Sequence, residues 1–238
     1  MIEFENVSFE YEKGNKTLEN ISFRIEPGEC VGLIGANGAG KSTIMKIMLG
    51  LLPYDGNVLV CGKPVVKENL AEVRRKLGFV LQDSDSQMFM PTVFEDMIFG
   101  PMNYGLSKEE AEAKVDEILN RLGIMELKHR YNHKISGGQK RMAAIATIMV
   151  MEPDAVIMDE PTVTLDPFNR RLVINTIRTM DNTKLIASHD LDMILDLCSR
   201  VLLIAGGRLI ADGDAKTILS DREHLEANRL ELPIALAR

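Results

Sequence analysis

Residues 35–43 read GANGAGKST, and no other stretch narrows the possible folds of this chain so far. On one side lies ECVGLIG, which reads as a buried strand; on the other lies STIMKIMLGLL, which reads as a helix. The pattern G-x-x-x-x-G-K-[ST] between a strand and a helix is a phosphate-binding loop. Its glycines let consecutive backbone N–H groups wrap an anion, and the helix dipole adds favourable potential at the same point. Lys41 then reaches the terminal phosphates, the Ser42 hydroxyl serves a Mg²⁺ ion, and Thr43 adds a phosphate contact.

The rest of the chain supplies a sheet for that loop. AVIMDE, KLIASHD and RVLLIAG read as short buried strands with polar ends, and DPFNRRLVINTIRTM reads as a helix with Asp166 as N-cap and Pro167 at the first helical position. Strands alternating with helices indicate an α/β fold with a largely parallel sheet. The N-terminus differs. IEFENVSFEY alternates with period two and GNVLVCG is bounded by glycines, so antiparallel strands are expected there. From about residue 84 to 151 the signals are mainly helical, most clearly in SKEEAEAKVDEILNRLG. There Ser107 and Glu110 have capping-box spacing, Ala111, Val115, Ile118, Leu119 and Leu122 form one apolar stripe, and Gly123 supplies a stop. No internal repeat or low-complexity linker divides the 238 residues into independent domains.

Two acids end the strand AVIMDEP. A buried strand of an open sheet delivers its C-terminal residues to the ligand crevice, which suits Asp159 to Mg²⁺ and Glu160 to orienting or deprotonating water. A second glycine turn, HKISGGQKR, precedes the apolar run AAIATIMVM and offers another helix N-terminus for an anion. His129 and His133 have the i, i+4 spacing of a metal pair but lack the Glu of H-E-x-x-H, and read as a solvated loop pair.

Composition excludes several classes. Lys+Arg of 28 against Asp+Glu of 35 gives a net charge of −7, which argues against nucleic acid as the main partner. Three widely spaced cysteines, Cys30, Cys61 and Cys198, suit a reducing compartment better than a disulfide framework. The acidic, alternating start lacks the features of a signal peptide, and the apolar runs fall short of the ~18 residues that suggest a spanning helix. A soluble, cytoplasmic chain is expected.

Taken together, GANGAGKST, SGGQ, MDEPT and SHD, in this order over nearly the whole chain, resemble the ATP-binding-cassette ATPase family. The resemblance implies a P-loop NTPase (RecA-like) core with an N-terminal antiparallel β subdomain and an inserted α-helical subdomain. The core and β subdomain would occupy 1–83 and 152–220, the helical subdomain with the signature turn 84–151, and a tail 221–238. It further implies ATP and Mg²⁺ as ligands. Gly35, Ala36, Asn37, Gly38, Ala39, Gly40, Lys41, Ser42 and Thr43 would hold the phosphates. Tyr11 would stack on adenine, with Phe9 or neither as the alternative. Ser42, Gln82 and Asp159 would hold the metal, while Lys41, Glu160 and His189 would serve catalysis. In the family two subunits pair head to tail, so Ser136, Gly137, Gly138 and Gln139 would face the γ-phosphate held by a second cassette, and Asp166 would communicate across the pair. Ile135 stands where Leu is usual, Met142 and Ala143 where Arg and Val are frequent, and Thr164 where a smaller residue is common.

A finer resemblance, carried by LQDSDSQMFMPTVFEDMIFGPMNYGLS and the tail GGRLIADGDAKTILSDREHLEANRLELP, is to the ATPase subunits of energy-coupling-factor importers of cobalt, nickel or vitamins. It implies a transmembrane coupling subunit docking on residues 88–99, from Met88 to Phe99, a substrate-binding membrane subunit engaged indirectly, and a peripheral position on the cytoplasmic face of the membrane. The methionines and phenylalanines there also suit the core of the helical insertion. A cassette ATPase acting on nucleic acid or ribosomes is the second reading, and a small-molecule kinase, which leaves SGGQ, Gln82 and His189 without a role, the third.

Overall fold

The computed structural model describes residues 1–237. The chain opens with the strands β1 (Ile2–Glu12), β2 (Asn15–Ile25) and β3 (Cys30–Ile34), followed by the helix α1 (Lys41–Met48). The strands β4 (Asp55–Val60) and β5 (Lys63–Pro64), the helix α2 (Leu70–Lys76) and the strand β6 (Leu77–Val80) come next. A helical stretch then runs through α3 (Ser84–Gln87), α4 (Val93–Asn103), α5 (Lys108–Leu122) and α6 (Gly137–Met149). Alternation resumes with β7 (Ala155–Asp159), α7 (Pro167–Arg178), β8 (Thr183–Ala187), α8 (Leu191–Leu197), β9 (Arg200–Ala205) and β10 (Arg208–Asp214). The helices α9 (Ala215–Ser220) and α10 (Arg222–Ala227) follow, and then a 3-10 turn at Ile234–Leu236. The contacts divide it into two compact units: Met1–Leu77 with Asp154–Glu160 and Asp181–Arg238, and Gly78–Pro153 with Pro161–Met180.

In the first unit the strand order is β10-β9-β3-β8-β7, with β9, β3, β8 and β7 parallel and β10 antiparallel to β9. Val31, Leu33 and Ile34, Ala155 to Met158, Leu185 to Ala187, and Val201 to Ile204 are all fully buried. Such unbroken apolar runs suit strands covered on both faces. Each buried aliphatic side chain contributes ~1.5–3 kcal/mol of burial free energy. Register decides which residues meet at the strand ends: Leu33 lies level with Ala187, and Ala187 with Asp159.

The second sheet of this unit is antiparallel, in the order β2-β1-β4-β5. The period-two pattern of β1 slips once. Ile2 and Phe4 are buried, then Val7 and Phe9, with a register shift between Phe4 and Val7 and Asn6 at φ 52. A bulge there restores the apolar side chains to the core face after the phase change. Phe4 stacks on Phe23 with ring centroids 4.7 Å apart.

In the second unit, α5 begins and ends where its capping residues place it. Ser107 Oγ accepts from the Glu110 N–H, the Glu110 carboxylate accepts from the Ser107 N–H at 2.9 Å, and Gly123 closes the helix at φ 67. Ala111, Val115, Ile118 and Leu119 are buried, while Leu122, at the end of the stripe, is half-buried. Ser107→Ala should cost about 1 kcal/mol of stability. Urea unfolding checks this, with a lower midpoint at unchanged slope as the expected result.

Candidate functional site

In the first unit the chain leaves β3 at Ile34 and turns at once into the glycine loop. Gly35 is required by space: a Cβ there would lie 2.2 Å from the Ile204 carbonyl oxygen. Gly40 is required by conformation and space, being the N-cap of α1 at φ 113 with Leu18 Cδ2 2.5 Å from where a Cβ would stand. No side chain caps α1, so its first N–H groups remain available to an anion. Lys41 is almost fully buried, and its ammonium donates to the carbonyls of Gly35 at 2.5 Å and Ala36 at 3.3 Å. Burial pulls its pKa down while the Glu160 and Asp159 carboxylates oppose that shift.

The level ends of β7 and β8 bring the acids to this loop. The Ser42 hydroxyl acts on the Asp159 carboxyl and lowers its pKa, giving two hard oxygen groups of the kind Mg²⁺ selects. Glu160, one residue beyond β7, has a left-handed backbone at φ 46, a conformation that costs a non-glycine residue energy and that clusters at functional sites. Its N–H donates to the Ala187 carbonyl at 2.9 Å. Its carboxylate accepts from the Ser188 hydroxyl at 2.8 Å and from the His189 N–H at 2.9 Å. His189 Nε2 lies 3.4 Å from Lys41 Nζ and 3.7 Å from Glu160 Oε1. Lys41, Ser42, Asp159, Glu160 and His189 are thus brought together. Ser188, fully buried, joins them unforeseen, although it precedes His189 in SHD at the end of a buried strand.

The second unit holds the remaining residues. Ser136 caps α6 by a reciprocal box: its Oγ accepts from the Gln139 N–H at 3.3 Å, and Gln139 Oε1 accepts from the Ser136 N–H at 3.0 Å. Beside Gly137 a Cβ would meet nothing within 4 Å, whereas at Gly138 it would run into the Asn169 side chain at 2.2 Å. Asp166 caps α7 as its spacing from Pro167 indicates, accepting from the N–H groups of Phe168 at 2.9 Å and Asn169 at 3.1 Å. The Asn169 amide also donates to it, and these bonds hold its carboxyl below the ordinary range. Asn169 therefore joins Asp166 to the signature turn. Arg141 makes a second link: its buried guanidinium donates to the carbonyls of Leu81, at 2.6 Å, and Gln82. Neither Asn169 nor Arg141 stands out in sequence, because only packing shows what their side chains reach.

Residues 88–99 divide between core and surface. Met88, Val93 and Met97 are buried, while Phe89 and Phe99 are exposed and meet edge to face at 5.1 Å. Asp96 positions the segment by accepting from the N–H groups of Phe89 and Met90, both at 3.1 Å. In the first unit Tyr11 is exposed and lies edge-on to Phe9 at 4.7 Å. His129 and His133 are exposed, and no cluster of three His, Cys, Asp or Glu able to hold a metal occurs among the described residues. No helix among them is long and apolar enough to cross a membrane.

The model of the ABC transporter family matches residues 18–163. This chain belongs to the ABC transporter ATPase family. A protein of Geobacter sulfurreducens named as an ABC transporter ATP-binding protein is 44% identical over 237 residues, covering 99% of this chain and 95% of that protein. The energy-coupling factor transporter ATP-binding protein EcfA of Carboxydothermus hydrogenoformans is 40% identical over 237 residues, covering 98% of this chain and 87% of that protein. Among solved structures, cbiO1 from Clostridium perfringens, part of the ABC transporter complex cbiONQ, superposes with a TM-score of 0.84 at 34% identity, covering 98% of this chain and 95% of that one. The cassette therefore has the ABC ATPase fold, binds ATP, and hydrolyses it in support of transport.

Asp159 lowers the stability of the cassette where it is ionised. Burial and the neighbouring Glu160 carboxylate push the Asp159 carboxyl above the ordinary aspartate range, against Lys41 and Ser42. The folded chain thus holds that proton more tightly than the unfolded chain, and stability is lost as pH rises through the raised pKa. Asp159→Asn should raise the Tm of the nucleotide-free protein at pH 8, and the gain should shrink toward pH 4, as the pH falls through the raised Asp159 pKa. Calorimetry at the two pH values checks this, and an equal gain at both would refute the electrostatic origin.

Proposed function

We propose that this cassette is the energy-coupling ATPase of a membrane importer for cobalt, nickel or a vitamin. The observation that carries the proposal is similarity over nearly the full chain to EcfA and to cbiO1. The exposed Phe89 and Phe99 pair, with the Phe89 backbone held by Asp96, supports a coupling subunit docking there. Through that subunit a substrate-binding membrane subunit is engaged indirectly, and the cassette sits peripherally on the cytoplasmic face. Co-purification from membranes with a multi-span partner tests the assignment. A cassette that instead copurified with RNA or ribosomes, with no such partner, would contradict it.

ATP is proposed to lie between two head-to-tail cassettes. The glycine loop and Lys41 bind its phosphates, and Tyr11 covers the base. Glu160 is the group that takes or orients the proton of water: Ser188 and the His189 N–H aim its carboxylate. His189 and Lys41 stand beside it to stabilise developing phosphoryl charge. Mg²⁺, when bound through Ser42 and Asp159, supplies charge neutralisation on the phosphates. Ser136, Gly137, Gly138 and Gln139 complete the partner's site from outside, with Asp166 and Asn169 joining that turn to α7.

Two substitutions separate these roles. Glu160→Gln keeps the size of the side chain and an acceptor for the His189 N–H, so it should bind ATP normally, lose at least 100-fold in turnover, and accumulate as an ATP-bound dimer in size-exclusion chromatography. Retained hydrolysis would remove Glu160 from its proposed role. Gly137→Asp fits the open space beside that glycine, so it should fold and bind nucleotide as a monomer. Its carboxylate opposes the partner's γ-phosphate, so ATP-driven dimerisation should be lost. A variant that still dimerised and hydrolysed ATP would overturn the shared site.

A further inference from the structure

Cys30 and Cys198 stand 168 residues apart in sequence, yet their sulfur atoms lie 3.6 Å apart, in contact. Cys30 is the first residue of β3, and Cys198 follows the last residue of α8. The parallel pairing of Val31 with Arg200, and the Ser199 N–H donating to the Cys30 carbonyl at 3.3 Å, hold the two backbones side by side. We infer that Cys30 and Cys198 form a reversible dithiol–disulfide site, oxidised by peroxide-class oxidants, at the base of the parallel sheet.

The two thiols are unequal in the way such chemistry needs. Cys30 is partly exposed, whereas Cys198 is buried. Lys184 is the residue that pairs with Cys30 across β3 and β8. The sulfur–sulfur contact, together with the Lys184 charge, lowers the Cys30 pKa against burial, and the same contact, with burial, pushes the Cys198 thiol up. A thiolate reachable by oxidant beside a resolving thiol is the arrangement of a redox-responsive pair. The approach from 3.6 Å to the ~2.05 Å of a disulfide falls within what side-chain rotation and small backbone shifts provide. Cys61 is a built-in contrast: its thiol donates to the Lys76 carbonyl, and burial pushes its pKa up. Among the described residues the pair belongs to no group of three His, Cys, Asp or Glu able to hold a metal ion.

The step balances with one peroxide. The Cys30 thiolate attacks a peroxide oxygen, forming an S–O bond and breaking O–O; the hydroxide that leaves takes a proton, and Cys30 becomes a sulfenic acid. Cys198 sulfur then attacks Cys30 sulfur, forming S–S and breaking S–O, and its proton leaves with the hydroxide as a second water. Two thiols have supplied two electrons to the peroxide. Reduction runs by attack of an external dithiol on Cys30, the accessible sulfur. The bond would tie the start of β3, which runs to the phosphate loop, to the end of α8, which begins just after His189.

The test uses the full chain, reduced and then exposed to stoichiometric hydrogen peroxide, with differential alkylation and peptide mapping by mass spectrometry. The expected result is the loss of two hydrogen atoms, one peptide linking Cys30 to Cys198, and Cys61 still free as a thiol. Dithiothreitol should restore all three thiols, and the oxidised chain should melt several degrees higher than the reduced one, since the bond closes a very long loop. Cys198→Ser should leave Cys30 as a sulfenic acid that dimedone traps. The proposal fails if the wild type keeps both thiols alkylatable, if Cys30 proceeds to sulfinic acid while Cys198 stays free, if Cys61 enters the bond, or if dithiothreitol does not reverse it.

Discussion

The parallel register of β3, β8 and β7 is the constraint on which the candidate site depends. Because Leu33, Ala187 and Asp159 lie level, the chain leaves three neighbouring strands at one edge of a fully apolar sheet. Everything polar that follows within two residues is forced together: Gly35, Ser188, His189 and Glu160. A slip of one residue in a buried strand would exchange its faces and withdraw the acids from Lys41. The interior apolar runs thereby secure the chemistry at their ends.

That concentration of charge is held by cost as well as by contact. Lys41 is buried and carries a lowered pKa, Asp159 carries a raised one, and Glu160 sits in a left-handed conformation with both carboxylate oxygens occupied. An anion at the glycine loop gives Lys41 a better partner than the two carbonyls it now holds. Strain and desolvation of this kind are what a nucleotide site stores before its ligand arrives. In the second unit the logic is capping: Ser136 and Asp166 each satisfy a helix N-terminus, and Asn169 couples the two caps.

Much of this was legible in one dimension. The glycine loop, the apolar strands ending in acids, the Ser107 and Gly123 boundaries of α5 and the capping role of Asp166 rest on local rules that act over a few residues. Ser188, Asn169 and Arg141 were not legible, since each side chain meets a group far away in sequence: Glu160, Gly138 and the Leu81 carbonyl. The phase slip in β1 was visible as a change of parity between Phe4 and Val7, but the bulge at Asn6 that absorbs it required the partner strands.

Residue order alone determined the chemistry available to this protein: a phosphate loop, two strand-end acids, a strand-end histidine and a second glycine turn, each set by spacing along the chain. Tertiary structure decided which of these groups touch. Glu160 gains its aim from Ser188 and His189, and Cys30 finds Cys198, because strand register places residues side by side that the chain keeps 28, 29 and 168 positions apart. Local propensity acts over a few residues, whereas register is set by the burial of whole strands, and that is a property of the sheet.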